Sequence, residues 1–205
     1  MKSIITILAG LVASAACGPI VTGEDVVQHI APTSNSCEGK LPECRTAKQA
    51  APYLIMSMLQ YKIYHINEIA SVLALMAFES VDFKYKHNVY PGRPGQGTAN
   101  MQMAKFNLDY AKQIEGVKDK VANIPSVDGL SPDKLNEILA LVQPDEYNFG
   151  SGPWFLATQC SADVRDKMKK NADDGFRAHM GCVGVDVTEE RLAYFQRAKE
   201  AFGLH

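Results

Sequence analysis

Ile69-Ala70-Ser71-Val72-Leu73-Ala74-Leu75-Met76-Ala77-Phe78, followed at once by Glu79-Ser80, is the stretch on which the fold turns. A near-continuous apolar run of this length is buried on every side if it is helical. A carboxylate set directly at its end is costly unless it is solvated, paired or used. Asn67 can cap the helix, which is expected to run to about Ser80. The negative end of the helix dipole and the apolar neighbours both disfavour ionised Glu79. Its pKa should therefore rise, as a general acid requires. Glu79 is the leading candidate for chemistry.

Downstream, Phe83 to Gln102 contains Pro91, Gly92, Pro94, Gly95 and Gly97 and predicts a loop or small irregular hairpin. Met101 to Ile114 returns to helix, with Met103, Phe106, Tyr110 and Ile114 on one face. Ser131-Pro132 opens another helix, lined by Leu135, Ile138, Leu139 and Val142 and ended by Pro144. Tyr147 to Pro153 reads as a Gly-rich loop. Trp154 to Cys160 reads as a buried helix, with Trp154 in the core beside Phe155 and Leu156. Ser161 to Asn171 is a charged amphipathic helix, and Gly175 to Asp186 is expected to be a loop around Cys182. Thr188 caps the last helix, whose stripe is Leu192, Phe195, Ala198 and Phe202. Arg191 stands where a capping box would place an acid. Upstream, Arg45 to Tyr64 has helical spacing at Ala51, Leu54, Ile55, Met58 and Leu59, with Pro52 expected to begin the main helix. The fold class is mainly α, with one irregular insertion directly after the central helix.

The chain has 205 residues, 46% hydrophobic and 21% charged, which predicts one domain with a real core. A net charge of -2 offers no basic surface for nucleic acid. Residues 1–17 read as a secretory signal peptide: Lys2, apolar Ile4 to Val12, then Ala13-Ser14-Ala15-Ala16. Cleavage after Ala15 or Ala16 leaves Cys17 in place, and cleavage after Cys17 leaves an even four cysteines. No later segment is long and apolar enough to span a bilayer, so a secreted, extracellular monomer without membrane contact is expected. Residues 18–44 read as a polar N-terminal arm with a disulfide turn, and 45–205 as the catalytic domain.

Four cysteines allow three pairings, of which the local pairs Cys37–Cys44 and Cys160–Cys182 are favoured. The second closes a loop of about 20 residues, worth on the order of 3 kcal/mol in the chain-entropy model. His65 and His87 have no carboxylate partner at metal-ligand spacing, so neither metal nor cofactor is expected. His179 stands in the expected loop near Cys182.

Phe78-Glu79-Ser80, followed by Ala99-Asn100-Met101-Gln102, resembles goose-type lysozymes and lytic transglycosylases (family 23). These carry Gly-Leu-Met-Gln in the second position. Tyr90-Pro91-Gly92-Arg93 with Gln96 is similar to the Tyr-Tyr-Gly-Arg element of plant-type chitinases (family 19). Trp154-Phe155-Leu156 and the closing Glu190-Arg191-Leu192-Ala193-Tyr194-Phe195-Gln196-Arg197 also resemble that family. It has Asn-Gly-Gly before its last helix, where His179-Met180-Gly181 stands here. The resemblance implies a lysozyme-like helical domain. It also implies a glycosidase, of muramidase or chitinase type, that cleaves β-1,4 bonds of an N-acetylglucosamine polymer, peptidoglycan preferred over chitin.

Glu79 would be the general acid. An inverting enzyme needs a second carboxylate about 6.5–9.5 Å away. Asp82 is the only acid from Val81 to Met101, and a solvated helix-end role competes for it. Without it, Glu79 would serve as both acid and base. Tyr90, Arg93, Gln96, Thr98 and Gln102 are the expected substrate-binding residues. The alternative is an inactive lysozyme-like glycan binder or secreted effector.

Overall fold

The computed structural model describes residues 22–204; the signal-peptide reading of residues 1–17 lies outside them. The described chain is mainly helical. Outside helices, the β-bridges among these residues are isolated and antiparallel, His87 with Gly97 and Gly97 with Gln102.

The described residues begin with Thr22 and α1 (Gly23–Ile30), so the stretch read as a polar N-terminal arm, 18–44, carries a helix. Thr22 closes a capping box with Asp25. Val27 and Ile30 are buried in the main core, which gives the short helix its reason to form. A 3-10 turn, Pro32–Asn35, leads to the disulfide Cys37–Cys44. Helix α2 (Ala47–Gln60) starts from a second capping box, Thr46 with Gln49. Pro52 lies inside α2 rather than at its start; it sits on the exposed face.

Helix α3 (Ile66–Glu79) is the central element, capped by His65 rather than Asn67. Residues Ala70 to Ala77 are all buried. The following helices are α4 (Ala104–Ala111), α5 (Lys118–Val121), α6 (Pro132–Leu141), α7 (Asp145–Asn148) and α8 (Ser151–Gln159). Thus Tyr147 to Pro153 is helical at both ends, not one loop. Helices α9 (Ala162–Lys170), α10 (Ala172–Val183) and α11 (Glu189–Phe202) complete the fold.

The expected loop from Gly175 is instead α10, started by Asn171 and ended by Gly184 in the left-handed region. Gly175 is needed for packing: a Cβ there would sit 2.3 Å from Met168 Cα of α9.

Helices α9, α10 and α11 pack along α3. Three polar residues of α3 mark this register. Glu68 accepts from Arg165 of α9 at 2.6 Å, Ser71 meets His179 of α10 at 2.8 Å, and Glu79 meets Arg191 of α11 at 2.8 Å. A second apolar cluster joins α4, α6 and α8 through Leu108, Ile138, Leu139, Trp154 and Phe155. Trp154 is fully buried, and its indole N–H donates to Gln113 at 3.0 Å. The disulfide Cys160–Cys182 ties the end of α8 to the end of α10. No described helix is long and apolar enough to cross a membrane.

A two-lobed cleft at Glu79

Helix α3 ends at Glu79 because the chain reverses hand. Val81, Asp82 and Phe83 all have positive φ, at 52°, 57° and 63°. Such values are disfavoured for side-chain-bearing residues, Val above all. Ser80 Oγ accepts from the Phe83 N–H at 2.9 Å and donates to the Met76 carbonyl at 2.6 Å. The reversal turns the chain aside and leaves the Glu79 carboxyl facing a cleft.

The insertion 84–103 forms the opposite wall. Thr98 N–H donates to Lys86 O, Asn88 N–H to Gln96 O, and Gly97 N–H to Gln102 O. A Cβ on Gly97 would lie 2.4 Å from Lys86 O, so the close approach requires glycine. Buried Asn107 of α4 fixes the segment: its amide donates to Gly95 O and Gln102 O and its oxygen accepts from Gln102 Nε2.

The cleft has two lobes that share Glu79, Gln96 and Met101. The inner lobe, about 230 Å³, adds Arg93 and Gln102 and apolar walls that include Leu75, Phe106 and Phe155. The outer lobe, about 450 Å³, is walled by Phe78, Tyr85, His87, Val89 and Tyr90. Glu79, Tyr90, Arg93, Gln96 and Gln102 thus come to one cleft. Gln96 Nε2 donates to Met101 O. Tyr90 is almost fully exposed at the rim.

Thr98 and Asp82 do not line the cleft. Thr98 is buried, with its hydroxyl on Gly97 O. Asp82 is buried as a staple: one oxygen accepts from Thr33 N–H and Oγ1, the other from Tyr194 OH. Its role as a second catalytic carboxylate is corrected on that ground. His179 lies in the core rather than in a loop, and burial lowers its pKa to about 4.

Burial pushes the Glu79 carboxyl above its ordinary range, while the hydrogen bond and charge of Arg191 pull it back without cancelling the rise. Arg191 Nη1 donates to Asp186 O, and its guanidinium lies over the Phe78 ring at 4.6 Å. Sequence reasoning missed Arg191; its one signal was a cation where the capping box wanted an acid. It also missed Glu43, whose Oε2 meets His87 Nδ1 at 2.8 Å. A 44-residue separation hides that pair from spacing arguments. Among the described residues, no group of three or more His, Cys, Asp and Glu is placed to hold a metal.

The geometry is that of a two-lobed cleft with a half-buried carboxyl, paired to Arg191, where the lobes meet. A bifunctional dioxygenase–epoxy alcohol synthase of Fusarium oxysporum (strain Fo5176) is 57% identical to this chain over 165 residues. The match takes in 80% of the chain and 12% of that protein, so the chain spans about an eighth of the length of the curated relative. No protein family and no solved structure matches.

The relative bears the name of an oxidative enzyme, not of a glycosidase. This corrects the resemblance to lysozyme-like glycoside hydrolases and what followed from it: glycan hydrolysis, a peptidoglycan or chitin partner, and inactive glycan binding. The motifs behind the resemblance were short and incomplete. Ala99-Asn100 replaced Gly-Leu, and His179-Met180-Gly181 proves to be inside α10 rather than a turn before the last helix.

Proposed function

We propose that the cleft binds an oxygenated lipid, with carbon chain along the apolar walls of both lobes and an oxygen at Glu79, which donates its carboxyl proton to that oxygen. The observation that carries this reading is the place of Glu79: among the described residues it is the single carboxyl group lining the cleft, at the junction of two lobes with apolar walls. An oxygen interrupting a carbon chain fits such a junction. The outer lobe alone falls within the roughly 300–1,000 Å³ of small-molecule sites. The relative's name supports the ligand class, because an epoxy alcohol is a carbon skeleton bearing an epoxide and a hydroxyl. The chain then acts as the oxygenated-lipid site of an oxidative enzyme system. Its two disulfides support action in an oxidising compartment.

The test is calorimetric titration of the full chain with a mid-chain hydroxy-octadecanoic acid and with octadecanoic acid. The expected result is saturable binding of the hydroxy acid, at least about tenfold tighter than the unsubstituted acid, with the preference lost in Glu79→Gln. No binding, or equal binding of both lipids, overturns the reading.

A further inference from the structure

Glu43 and His87 form a pair at the rim of the outer lobe. Glu43 is held next to Cys44 of the Cys37–Cys44 disulfide. Its Oε2 accepts from the Lys86 N–H at 3.0 Å and lies 2.8 Å from His87 Nδ1. The Lys86 ammonium turns elsewhere, to Asp145 and to the Gln143 carbonyl, so it makes no hydrogen bond to Glu43. The His87 backbone is fixed by its bridge to Gly97. His87 lines the outer lobe that Glu79 also lines, and its side chain is 45% exposed.

A carboxylate can only accept, so it selects the tautomer with the proton on Nδ1. The lone pair is then on Nε2. A histidine so held by a carboxylate is a general base whose orientation and tautomer are fixed by its partner. Glu43 is the charged group against His87; Glu79, Tyr85 and Tyr90 are the titratable groups sharing its lobe.

We infer that His87 is the general base of this cleft, with Glu43 as its positioning residue, and that with Glu79 it adds water across a lipid epoxide. This rests on the assignment of the cleft to oxygenated lipids and names the substrate within that class. The water gives a proton to His87 Nε2 as its oxygen bonds to one epoxide carbon. The bond from that carbon to the ring oxygen breaks, and the ring oxygen takes the Glu79 proton. Epoxide plus water becomes a vicinal diol. His87 is left protonated and Glu79 ionised, and return of the proton from His87 to Glu79 through water restores both. The reaction consumes the kind of product that an epoxide-forming enzyme supplies.

The experiment uses the full chain, a mid-chain epoxy-octadecanoic acid and isotopically labelled water. Wild type is expected to give the diol with one labelled oxygen. His87→Gln should lower the rate on the order of 10²–10⁴-fold while still binding the hydroxy-octadecanoic acid. Glu43→Gln should lower it less. Nitrogen NMR should show His87 protonated at Nδ1 in wild type, with that preference weakened in Glu43→Gln. Undiminished diol formation in His87→Gln overturns the inference. So does a wild-type Nε2–H tautomer, a readout that needs no variant to fold. Wild type that binds the hydroxy acid but forms no diol overturns the base assignment alone. Wild type that does not bind the hydroxy acid overturns the lipid assignment beneath it.

Discussion

Arg191 and Glu79 lie 112 residues apart in sequence and 2.8 Å apart in space, and this contact joins the end of the central helix to the start of the last one. The guanidinium offsets part of the desolvation that raises the Glu79 carboxyl. Removing it in Arg191→Met leaves burial unopposed, so Glu79 should titrate higher still. Carboxyl-carbon NMR of Glu79 reads this directly. A titration that stays put or falls would show that Arg191 does not tune the acid.

Glu79 itself carries a pH signature in stability. Its folded-state pKa lies above its ordinary value of 4.5, so the folded state holds the proton more tightly than the unfolded chain. Its contribution is fully present below that ordinary value and declines as pH rises through the folded-state pKa. Glu79→Gln should therefore gain on wild type across that interval. Urea denaturation at a series of pH values measures the stability of Glu79→Gln minus that of wild type, and a difference that falls as pH rises would contradict it.

The sign is opposite for what happens on acidification at His179. Burial lowers its pKa from 6.5 to about 4, so the folded chain keeps it neutral where the unfolded chain protonates it. Its stabilising contribution is present above 6.5 and is lost as pH falls toward 4. The loss is on the order of 3 kcal/mol for one such group. His179→Asn should flatten this acid limb of the stability profile, at some cost at neutral pH from the altered contact with Ser71.

Gly175→Ala should destabilise the protein by about 1–3 kcal/mol through overpacking, because its Cβ meets backbone rather than a mobile side-chain end. The melting temperature should fall, and the α9–α10 crossing should widen in a crystal structure of the variant.

The paired change Cys160→Ser with Cys182→Ser should cost on the order of 3 kcal/mol by the loop-closure argument. Val183, Gly184 and Val185, directly after Cys182, line the inner lobe. Lipid binding should therefore weaken more in this variant than in Cys37→Ser with Cys44→Ser. Chemical denaturation and the titration with hydroxy-octadecanoic acid measure the two effects separately.

Periodicity made the helical class legible, because the stripes of α3, α6 and α11 repeat at helical spacing. It failed at Gly175, where a glycine demanded by contact with Met168 looked like a loop signal. It also failed at Gly23–Ile30, where two buried residues on an otherwise polar stretch suffice to dock a short helix. Glu79 was visible as a charge ending an apolar run. Arg191, Glu43 and the true role of Asp82 were not, since each depends on chain segments brought together only by folding. The family likeness drawn from short motifs around Glu79 did not carry, because each motif was incomplete and shared no packing context.

The reversed hand at Val81, Asp82 and Phe83 bears on the order of assembly. Left-handed geometry is disfavoured at three successive L-residues, and local bonds from Asp82 N–H to Ala77 O and from Phe83 N–H to Ser80 Oγ offset only part of that cost. The Asp82 carboxylate is held by segments distant on either side in sequence: Thr33 just after α1, and Tyr194 within α11. The turn that aims Glu79 is therefore completed when those distant segments dock. The site is thus expected to be the last part of the molecule to take shape and the first to lose it.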